Sequence, residues 1–302
     1  MSRKKKGRPV SGWLALDKPT GITSTRALAI VKRLFDAEKA GHAGTLDPLA
    51  SGILPIALGE ATKTVPYVMD GRKRYRFTVR WGAETETDDS EGAVTATSPL
   101  RPSRAAIEAM LPRFTGLIAQ VPPRFSAILI DGQRAYDLAR DGEAVDLEPR
   151  AAEIASFEVV AMPDADTTVF QAECGKGTYV RALARDLGRA LGTYGHVIEL
   201  RRLAVGGFTE LAAVDLDTLR ARAAAGREAL DATLAAPEVA LTALTAVAVN
   251  ASEAARLVRG QSVLLRRGDP PPPGSAYAMS AGRLVALGDI AAGEFQPRRV
   301  FR

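Results

Sequence analysis

One carboxylate, Asp47, stands among small and apolar residues in the stretch GHAGTLDPLASGILP, which runs from Gly41 to Pro55. Glycine accepts positive φ and allows close backbone approach, and Pro48 directs Asp47 away from helical geometry. Asp47 is therefore predicted in a turn, either as a residue that closes the turn or as a catalytic acid. His42 lies just upstream and the flanks are apolar enough to form a cleft wall, which favours the catalytic interpretation.

Arg181 is the second residue with a chemical signature, because it is expected in the first turn of an amphipathic helix. A helix N-terminus carries partial positive charge and disfavours a cation. Arg181 therefore needs an acidic partner, for which Asp47 is our candidate. Another acid, or solvent, is the alternative.

The clearest predicted strand covers Arg74 to Trp81, where aromatic and aliphatic residues alternate with polar ones. One face of this strand is apolar and the other is basic. Tyr75 begins the apolar face, so its ring either packs in the core or opens onto a pocket at the strand end.

Two acidic segments suggest metal or phosphate chemistry, but a simpler interpretation is available for each. Residues 84–91, ETETDDSE, lack the central glycine and closing glutamate of an EF-hand loop, so we expect a solvated connection between strands. Asp215, in DLDT, precedes a helical run and is expected to cap it. An aspartyl-phosphate hydrolase that uses Mg²⁺ is the alternative for DLDT.

The chain has 302 residues, a length that favours one large domain and a small one. Its net charge of +5 and pI of about 9.4 indicate either a polyanionic partner such as nucleic acid or an arginine-rich genome composition. The single cysteine, Cys174, excludes an internal disulfide and fits a reducing compartment.

Membrane, secretion and cofactor signals are missing from the sequence. No apolar run reaches the ~20 residues that cross a bilayer, and no secretory signal is visible, so a cytoplasmic protein is expected. The sequence has two histidines and shows no P-loop, dinucleotide fingerprint or CxxC pair, so no metal and no cofactor are expected.

Several segments, taken in order, resemble those of the TruB family, the bacterial tRNA pseudouridine synthases. The resemblance implies that uridine 55 in the T loop of tRNA is flipped out and isomerised to pseudouridine, without a cofactor. A tRNA-folding chaperone with no essential catalysis is the alternative. The segments are HAGTLDPLASG around Asp47, DKPTGITS at 17–24, GEATK at 59–63, KRYR at 73–76, CGKGTYVRALARDLG at 174–188 and HVIELRRLAVGGF at 196–208.

The resemblance also assigns roles to individual residues. Asp47 matches the catalytic nucleophile, Tyr75 the residue that stacks on uracil and helps to remove the C5 proton, and Arg181 the partner of the acid. His42 matches a residue that stacks where the flipped base has left. The expected substrate-binding positions are Lys18, Pro19, His42, Tyr179 and Leu200.

The implied fold is α+β, with a mixed, largely antiparallel central sheet flanked by helices and a small PUA-like β-barrel after it. The alternation along Arg74 to Trp81 agrees with an antiparallel sheet exposed on one face. We expect a basic disordered tail at 1–9, a catalytic domain at 10–236 and a C-terminal domain at 237–302. An insertion at about 122–150 is expected to clamp RNA, and the protein is expected to act as a monomer.

Overall fold

A computed structural model describes residues 7–126, 129–130, 133–134, 147–265 and 271–301. The strands are β1 (Gly12–Lys18), β2 (Ala40–His42), β3 (Ser51–Leu58), β4 (Lys73–Trp81), β5 (Ala83–Thr85), β6 (Val94–Thr97), β7 (Gly116–Gln120), β8 (Leu129–Ile130), β9 (Gln133–Arg134), β10 (Arg150–Ala161), β11 (Thr167–Cys174), β12 (Gly195–Val205), β13 (Phe208–Thr209), β14 (Val214–Asp215), β15 (Thr245–Ala248), β16 (Val263–Leu264), β17 (Gly274–Ser280), β18 (Arg283–Ala291) and β19 (Glu294–Val300). The helices are α1 (Ser24–Leu34), α2 (Val65–Asp70), α3 (Arg104–Met110), α4 (Val180–Ala190), α5 (Leu216–Ala225), α6 (Arg227–Asp231) and α7 (Ala251–Val258).

The main sheet has the strand order β14-β1-β3-β12-β4-β11-β10-β7, with β2 beside β3 and β13 beside β12. The pairs β1–β14 and β3–β12 are parallel, and the other neighbouring pairs described in this sheet are antiparallel. The predicted mixed, largely antiparallel central sheet is therefore confirmed.

Strand β4 lies inside this sheet, between β11 and β12. Its aromatic and aliphatic residues are buried as predicted: Phe77, Val79 and Trp81. Its alternating arginines are exposed: Arg74, Arg76 and Arg80. Thr78 departs from the pattern, because it is buried and its hydroxyl donates to Glu199 Oε2 at 2.9 Å. The basic face predicted for this strand is present except at that position.

Two helices carry the residues of the later site toward the sheet. Helix α1 is capped by Thr23, whose Oγ1 accepts a hydrogen bond from Arg26 N at 3.1 Å. Helix α4 buries its apolar stripe against the main core. Near its end, a Cβ added to Gly188 would stand 2.6 Å from Gly195 N of β12. Glycine at this position thus lets α4, the helix that carries Arg181, pack directly on the sheet.

A second sheet, of order β15-β17-β18-β19-β16, forms the small C-terminal unit. It is a curled PUA-like sheet with its own apolar core, against which α7 packs. The strand-like patterns of the sequence at 245–249, 262–265, 283–287 and 299–301 fall on β15, β16, β18 and the end of β19, whereas no pattern predicts β17 or α7. Lys63 Nζ from the main body donates to Val300 O at 2.8 Å and lies over the Phe301 ring, which joins the two units.

Three local features can be compared with the sequence. The helical pattern of residues 219–234 predicts one helix, but the helix is interrupted, because Gly226 adopts φ +122° between α5 and α6. The helical pattern of residues 61–69 is divided between a 3₁₀ turn and α2. The capping role of Asp215 is confirmed, since its Oδ1 accepts from Asp217 N at 2.9 Å and Thr218 N at 2.8 Å.

Some sequence predictions fall on residues that the structure does not describe. These are residues 1–6 of the basic tail and most of the insertion, including Tyr136–Arg140. In the described part of the insertion, β8 and β9 pair as an antiparallel hairpin. None of the helices in the described ranges combines the length and apolar character needed to span a membrane.

Candidate active site

A cavity of about 310 Å³ opens between the Asp47 loop, the start of β4 and the N-terminal end of α4. We call it the Asp47 pocket. Five of the predicted site residues line it together: Asp47, Tyr75, Tyr179, Arg181 and Leu200. The other three are not among its lining residues: Lys18, Pro19 and His42.

The loop that carries Asp47 is fixed to the N-terminal end of α1. Ser24 is buried, and its hydroxyl both accepts from Leu46 N at 2.8 Å and donates to Leu46 O at 2.9 Å. On the other side of the acid, Gly21 N donates to Pro48 O at 2.8 Å. The turn predicted around Asp47 is present, since Ala50 N donates to Asp47 O at 3.1 Å. The segment DKPTGITS thus supports the residues on either side of Asp47.

A buried guanidinium that the sequence analysis did not single out holds the same loop from beneath. Arg202, on β12, is 1% exposed and donates to the carbonyl oxygens of Ile53 at 2.7 Å, Gly44 at 3.0 Å and Thr45 at 3.2 Å. Hydrogen bonds to a charged donor are among the strongest in proteins. Arg202 therefore fixes the path of the backbone that leads to Asp47.

Gly52 is the glycine of this stretch that the geometry requires most strictly. It adopts φ +99°, and an added Cβ would lie 2.2 Å from the carbonyl oxygen of Arg202. Gly44 also has a positive φ, of +92°. Gly41 has no positive φ, and nothing lies within 4 Å of its added Cβ. The positive φ that glycine permits is thus used at Gly44 and Gly52.

Arg181 reaches the pocket from α4 and joins two carboxylates. Its Nη2 lies 2.9 Å from Asp47 Oδ2, and its Nη1 lies 3.4 Å from Asp89 Oδ2. The same two nitrogens donate to Thr87 O at 2.9 Å and Phe125 O at 3.0 Å. The predicted partnership with Asp47 is present, and the alternative of another acid also holds, because Asp89 shares the guanidinium.

The acidic segment 84–91 is only partly the solvated connection expected from the sequence, because Asp88 and Asp89 are buried while Glu86 and Glu91 are exposed. Its carboxylates meet the arginines that recur along α4, with Asp88 Oδ2 at 2.9 Å from Arg185 Nη1 and Glu84 Oε1 at 2.7 Å from Arg189 Nη2. Burial raises the pKa of Asp88 to about 6 although Arg185 opposes the shift. The expectation failed for Glu84, Asp88 and Asp89, because each of them has an arginine partner that is distant in the sequence.

Tyr75 and Leu200 supply the apolar surface of the pocket. Tyr75 lies opposite Arg202 in the β4–β12 ladder, and Leu200 lies opposite Phe77. Burial raises the pKa of the Tyr75 hydroxyl, while the nearby Arg202 cation opposes the rise. Leu200 is 7% exposed and lines the pocket.

Tyr179 stands at the cap position of α4, where its backbone is held by a buried glutamine. Its N–H donates to Gln120 Oε1 at 2.8 Å, and its carbonyl accepts from Gln120 Nε2 at 3.1 Å. Burial raises the pKa of its hydroxyl. The paired amide contacts fix the residue from which Arg181 follows, so they help to set the direction of the guanidinium.

Lys18 and Pro19 form a support behind the Asp47 loop. Lys18 is fully buried, and its ammonium donates to Pro19 O at 2.8 Å and Ile22 O at 2.9 Å. Burial lowers the pKa of Lys18 to about 8, and the negative charge of Asp47 opposes that shift. The two residues shape the DKPTG turn that contacts Pro48.

His42 lies on β2, beside the loop and outside the lining of the pocket. Burial lowers the pKa of its imidazole, and the Arg202 charge lowers it further, so the ring is neutral at physiological pH. Its Nδ1 is buried and has no hydrogen-bond partner among the residues that the structure describes.

The assembled site offers one carboxylate with an aligned cation, next to aromatic and aliphatic surface. The Asp47 side chain is 36% exposed, whereas its partner Arg181 is 6% exposed. The acid therefore faces the cavity and the arginine holds it from the protein side. Such a site can present a carboxylate to an uncharged planar ring that enters between Tyr75 and Leu200.

Family models match two adjoining parts of the chain. The N-terminal domain of the TruB family pseudouridylate synthases matches residues 32–180, and the C-terminal domain of tRNA pseudouridylate synthase B matches residues 181–242. The boundary falls at the start of α4, between strands β4 and β12 that pair in one sheet. The two matched regions therefore build one structural unit, with Asp47 from the first and Arg181 from the second.

Relatives of high identity cover nearly the whole chain. The tRNA pseudouridine synthase B of Bradyrhizobium diazoefficiens is 63% identical over 298 residues, which cover 97% of this chain and 86% of the relative. That of Agrobacterium fabrum is 57% identical over 305 residues, which cover 99% of this chain and 97% of the relative.

Solved structures of lower identity share the fold. A Cbf5–Nop10–Gar1 complex gives a TM-score of 0.74 at 24% identity, covering 100% of this chain and 90% of that one. An H/ACA RNP bound to a substrate RNA containing 2′-deoxyuridine gives a TM-score of 0.75 at 24% identity, covering 100% of this chain and 92% of that one.

The relatives decide between the functions that the sequence left open. They are isomerases that act on tRNA, which favours an enzyme over a folding chaperone without catalysis and over a phosphate hydrolase. With the family models and the pseudouridine synthase fold in agreement, the chain belongs to the TruB family of tRNA pseudouridine synthases.

Proposed function

We propose that the protein converts uridine 55 in the T loop of tRNA to pseudouridine, with the reaction taking place in the Asp47 pocket. The observation that carries the proposal is the 2.9 Å ion pair between Asp47 and Arg181, in a cavity that Tyr75 and Leu200 also line. An acid oriented by a buried cation beside apolar surface suits a reaction on an uncharged base.

The reaction exchanges one bond for another at the same sugar carbon. The C1′–N1 bond of uridine breaks, the uracil turns, and a C1′–C5 bond forms. C5 loses its proton and N1 gains one, so the composition of the nucleoside is unchanged. The reaction therefore needs a carboxylate near C1′ and C6 and a group that assists departure of the C5 proton.

Asp47 is the carboxylate that we assign to the reacting sugar and base. Arg181 orients it, because the guanidinium is fixed by Asp89 and two carbonyl oxygens and cannot follow the acid if it moves. Tyr75 would stack on the uracil and help to remove the C5 proton. Tyr179 would hydrogen-bond near the base, and Leu200 would form the apolar wall.

The target uridine must leave its loop to reach this pocket. Flipping a base costs a few kcal/mol of stacking, and less in a strained loop than in a duplex. We assign His42 to the vacated position, since its neutral ring lies beside the Asp47 loop with an unpartnered Nδ1 among the described residues. Lys18 and Pro19 would act through the turn that supports Pro48.

The proposal extends to the domains, the oligomeric state and the cellular location of the protein. Residues 10–236 would form the catalytic domain, and 237–302 the PUA-like domain, in agreement with their separate apolar cores. The insertion at about 122–150 would clamp the T stem-loop. The protein would act as a monomer in the cytoplasm, where tRNA is modified.

The position of the product tests this proposal. The protein is incubated with an unmodified tRNA transcript, and pseudouridine is mapped by carbodiimide modification and reverse transcription. We expect conversion at position 55 and none in a matched transcript that carries cytidine there. Conversion at another position, or pseudouridine in the cytidine transcript at the wild-type rate, would overturn the assignment.

A further inference from the structure

Lys73 is a cation of the Asp47 pocket that the proposed reaction does not use. It is the first residue of β4, it is 7% exposed, and its side chain belongs to the pocket lining. Its ammonium donates to the carbonyl oxygen of Met69. Across the described ranges, this is its single hydrogen bond, and no carboxylate forms an ion pair with it.

The other cations that line the pocket are already satisfied by protein groups. Arg181 contacts two carboxylates and two carbonyl oxygens, and Arg202 donates to three carbonyl oxygens. Lys176 pairs with Asp70 at 2.8 Å, at the exposed rim. An ammonium has three N–H donors, so Lys73 keeps two donors for a ligand.

The charges around Lys73 are mainly positive. Burial lowers the pKa of its ammonium, and Arg202 and Lys176 lower it further, whereas Cys174 and Asp70 raise it. Asp70 already pairs with Lys176. A buried charge is costly unless it is paired. A cation kept in a substrate pocket without a protein counter-ion is the arrangement expected where the substrate supplies the anion.

The charged group of an RNA substrate is the phosphodiester, since uracil and ribose carry no charge at neutral pH. We propose that Lys73 binds a phosphodiester of the RNA adjacent to the target uridine, and so positions the flipped nucleotide at Asp47. This inference rests on the proposed function of the Asp47 pocket. Because Lys73 is buried, its contact forms only when the nucleotide has entered the pocket.

The test neutralises the phosphates next to the target one at a time. T-arm RNAs, each with a single methylphosphonate flanking the target uridine, are titrated against the wild type, Lys73→Met and the control Lys32→Met on the exposed face of α1. We expect one methylphosphonate to weaken binding to the wild type and to Lys32→Met about tenfold, and to leave binding to Lys73→Met unchanged. The slope of log affinity against log salt should fall by about 0.7 in Lys73→Met.

Equal effects of every methylphosphonate on the wild type and Lys73→Met would overturn the inference. If Lys73→Met does not fold, the scan with the wild type alone decides, and changes below twofold at all flanking phosphates would overturn it. Turnover by Asp47→Asn separates the two proposals. Wild-type turnover by Asp47→Asn would contradict the proposed function of the pocket. If Asp47→Asn is inactive but no methylphosphonate acts through Lys73, only the role proposed for Lys73 is contradicted.

Discussion

Two buried guanidinium groups contact the Asp47 loop, and they bind different kinds of chemical group. Arg181, from α4, meets the carboxylates of Asp47 and Asp89. Arg202, from β12, meets carbonyl oxygens of the loop backbone. The first contact fixes the direction of a charge, and the second fixes the path of a chain. A catalytic acid in a turn needs both, because neither orientation nor position follows from the loop sequence itself.

Among the variants that test this comparison of the two arginines, the largest effect is expected when Arg181 is replaced by methionine. The change removes the cation that orients Asp47 and leaves Asp89, whose side chain is 3% exposed, without its partner. We expect the single-turnover rate to fall about 10³-fold, which corresponds to roughly 4 kcal/mol. The free energy of unfolding should fall by about 3 kcal/mol.

Tritium release from C5-labelled T-arm RNA measures the rate, and urea denaturation measures stability. Arg189→Met is the matched control, because Arg189 lies on the same helix and pairs with Glu84 at the exposed end. A rate for Arg181→Met within tenfold of the wild type would mean that the guanidinium does not orient the acid.

A smaller loss of activity is expected when Arg202 is replaced by methionine. Three carbonyl oxygens lose a charged donor, so stability should fall by about 3 kcal/mol and the loop should lose its fixed path. Catalysis should fall less than in Arg181→Met, because Asp47 keeps its cation. Arg201→Met is the control, since the neighbouring Arg201 pairs with Asp17 and Glu210 at the surface. Equal stability of the two variants would contradict the role given to Arg202.

The glycines of the loop provide a comparison on the backbone alone. The free energy of unfolding should fall by roughly 2–3 kcal/mol in Gly52→Ala. The reason is that φ is +99° and the new Cβ would lie 2.2 Å from the carbonyl oxygen of Arg202. Gly41→Ala should remain within about 0.5 kcal/mol of the wild type, since nothing lies within 4 Å of its added Cβ. Thermal unfolding of the pair measures the difference, and similar melting temperatures would refute this account of the loop.

The smallest expected effect is a pH dependence of protein stability that arises from Asp88. Its pKa is about 6 in the folded protein against an ordinary value of 3.8, so the native state binds more protons between these values. The contribution of Asp88 to stability is therefore full below pH 3.8 and is lost as pH rises through about 6. Above that pH the charged form is buried at a cost, which Arg185 offsets only in part.

Unfolding free energies of the wild type and Asp88→Asn, measured from pH 4 to pH 7, test this effect. Their difference should change by about 1–3 kcal/mol across the window, with the wild type gaining as pH falls. Asp217→Asn, at an exposed position, should follow the wild type throughout. A constant difference in unfolding free energy between Asp88→Asn and the wild type would mean that Asp88 does not titrate in this pH range.

The sequence predicts the parts of the site that have a local signature. Asp47 precedes a proline between glycines, Tyr75 begins an alternating strand, and Arg181 stands where a helix disfavours a cation. These signatures lead to the correct neighbours in space, including the ion pair between α4 and the loop. The mixed sheet is implied by the family resemblance, and the alternation along β4, which reports one buried face, agrees with it.

The parts that were missed depend on partners that a sequence does not display. The acceptors of Arg202 are backbone carbonyl oxygens, which every residue possesses. The side chains of the loop therefore do not predict this contact. One signal was available, since Leu200 and Ala204, two positions before and after Arg202, are apolar, and a cation on an apolar strand face must find buried acceptors. Similarly, the four-residue spacing of Arg181, Arg185 and Arg189 matches the acids of 84–91 on one helix face.

The central claim is that the Asp47 carboxylate carries out the isomerisation in a pocket that binds RNA independently of it. The direct test is the single-turnover rate of Asp47→Asn with saturating protein and C5-tritiated T-arm RNA, alongside the dissociation constant of the same complex. We predict that tritium release disappears while affinity stays within about threefold of the wild type, since the amide keeps the shape of the acid but not its charge. Release at the wild-type rate by Asp47→Asn would contradict the account.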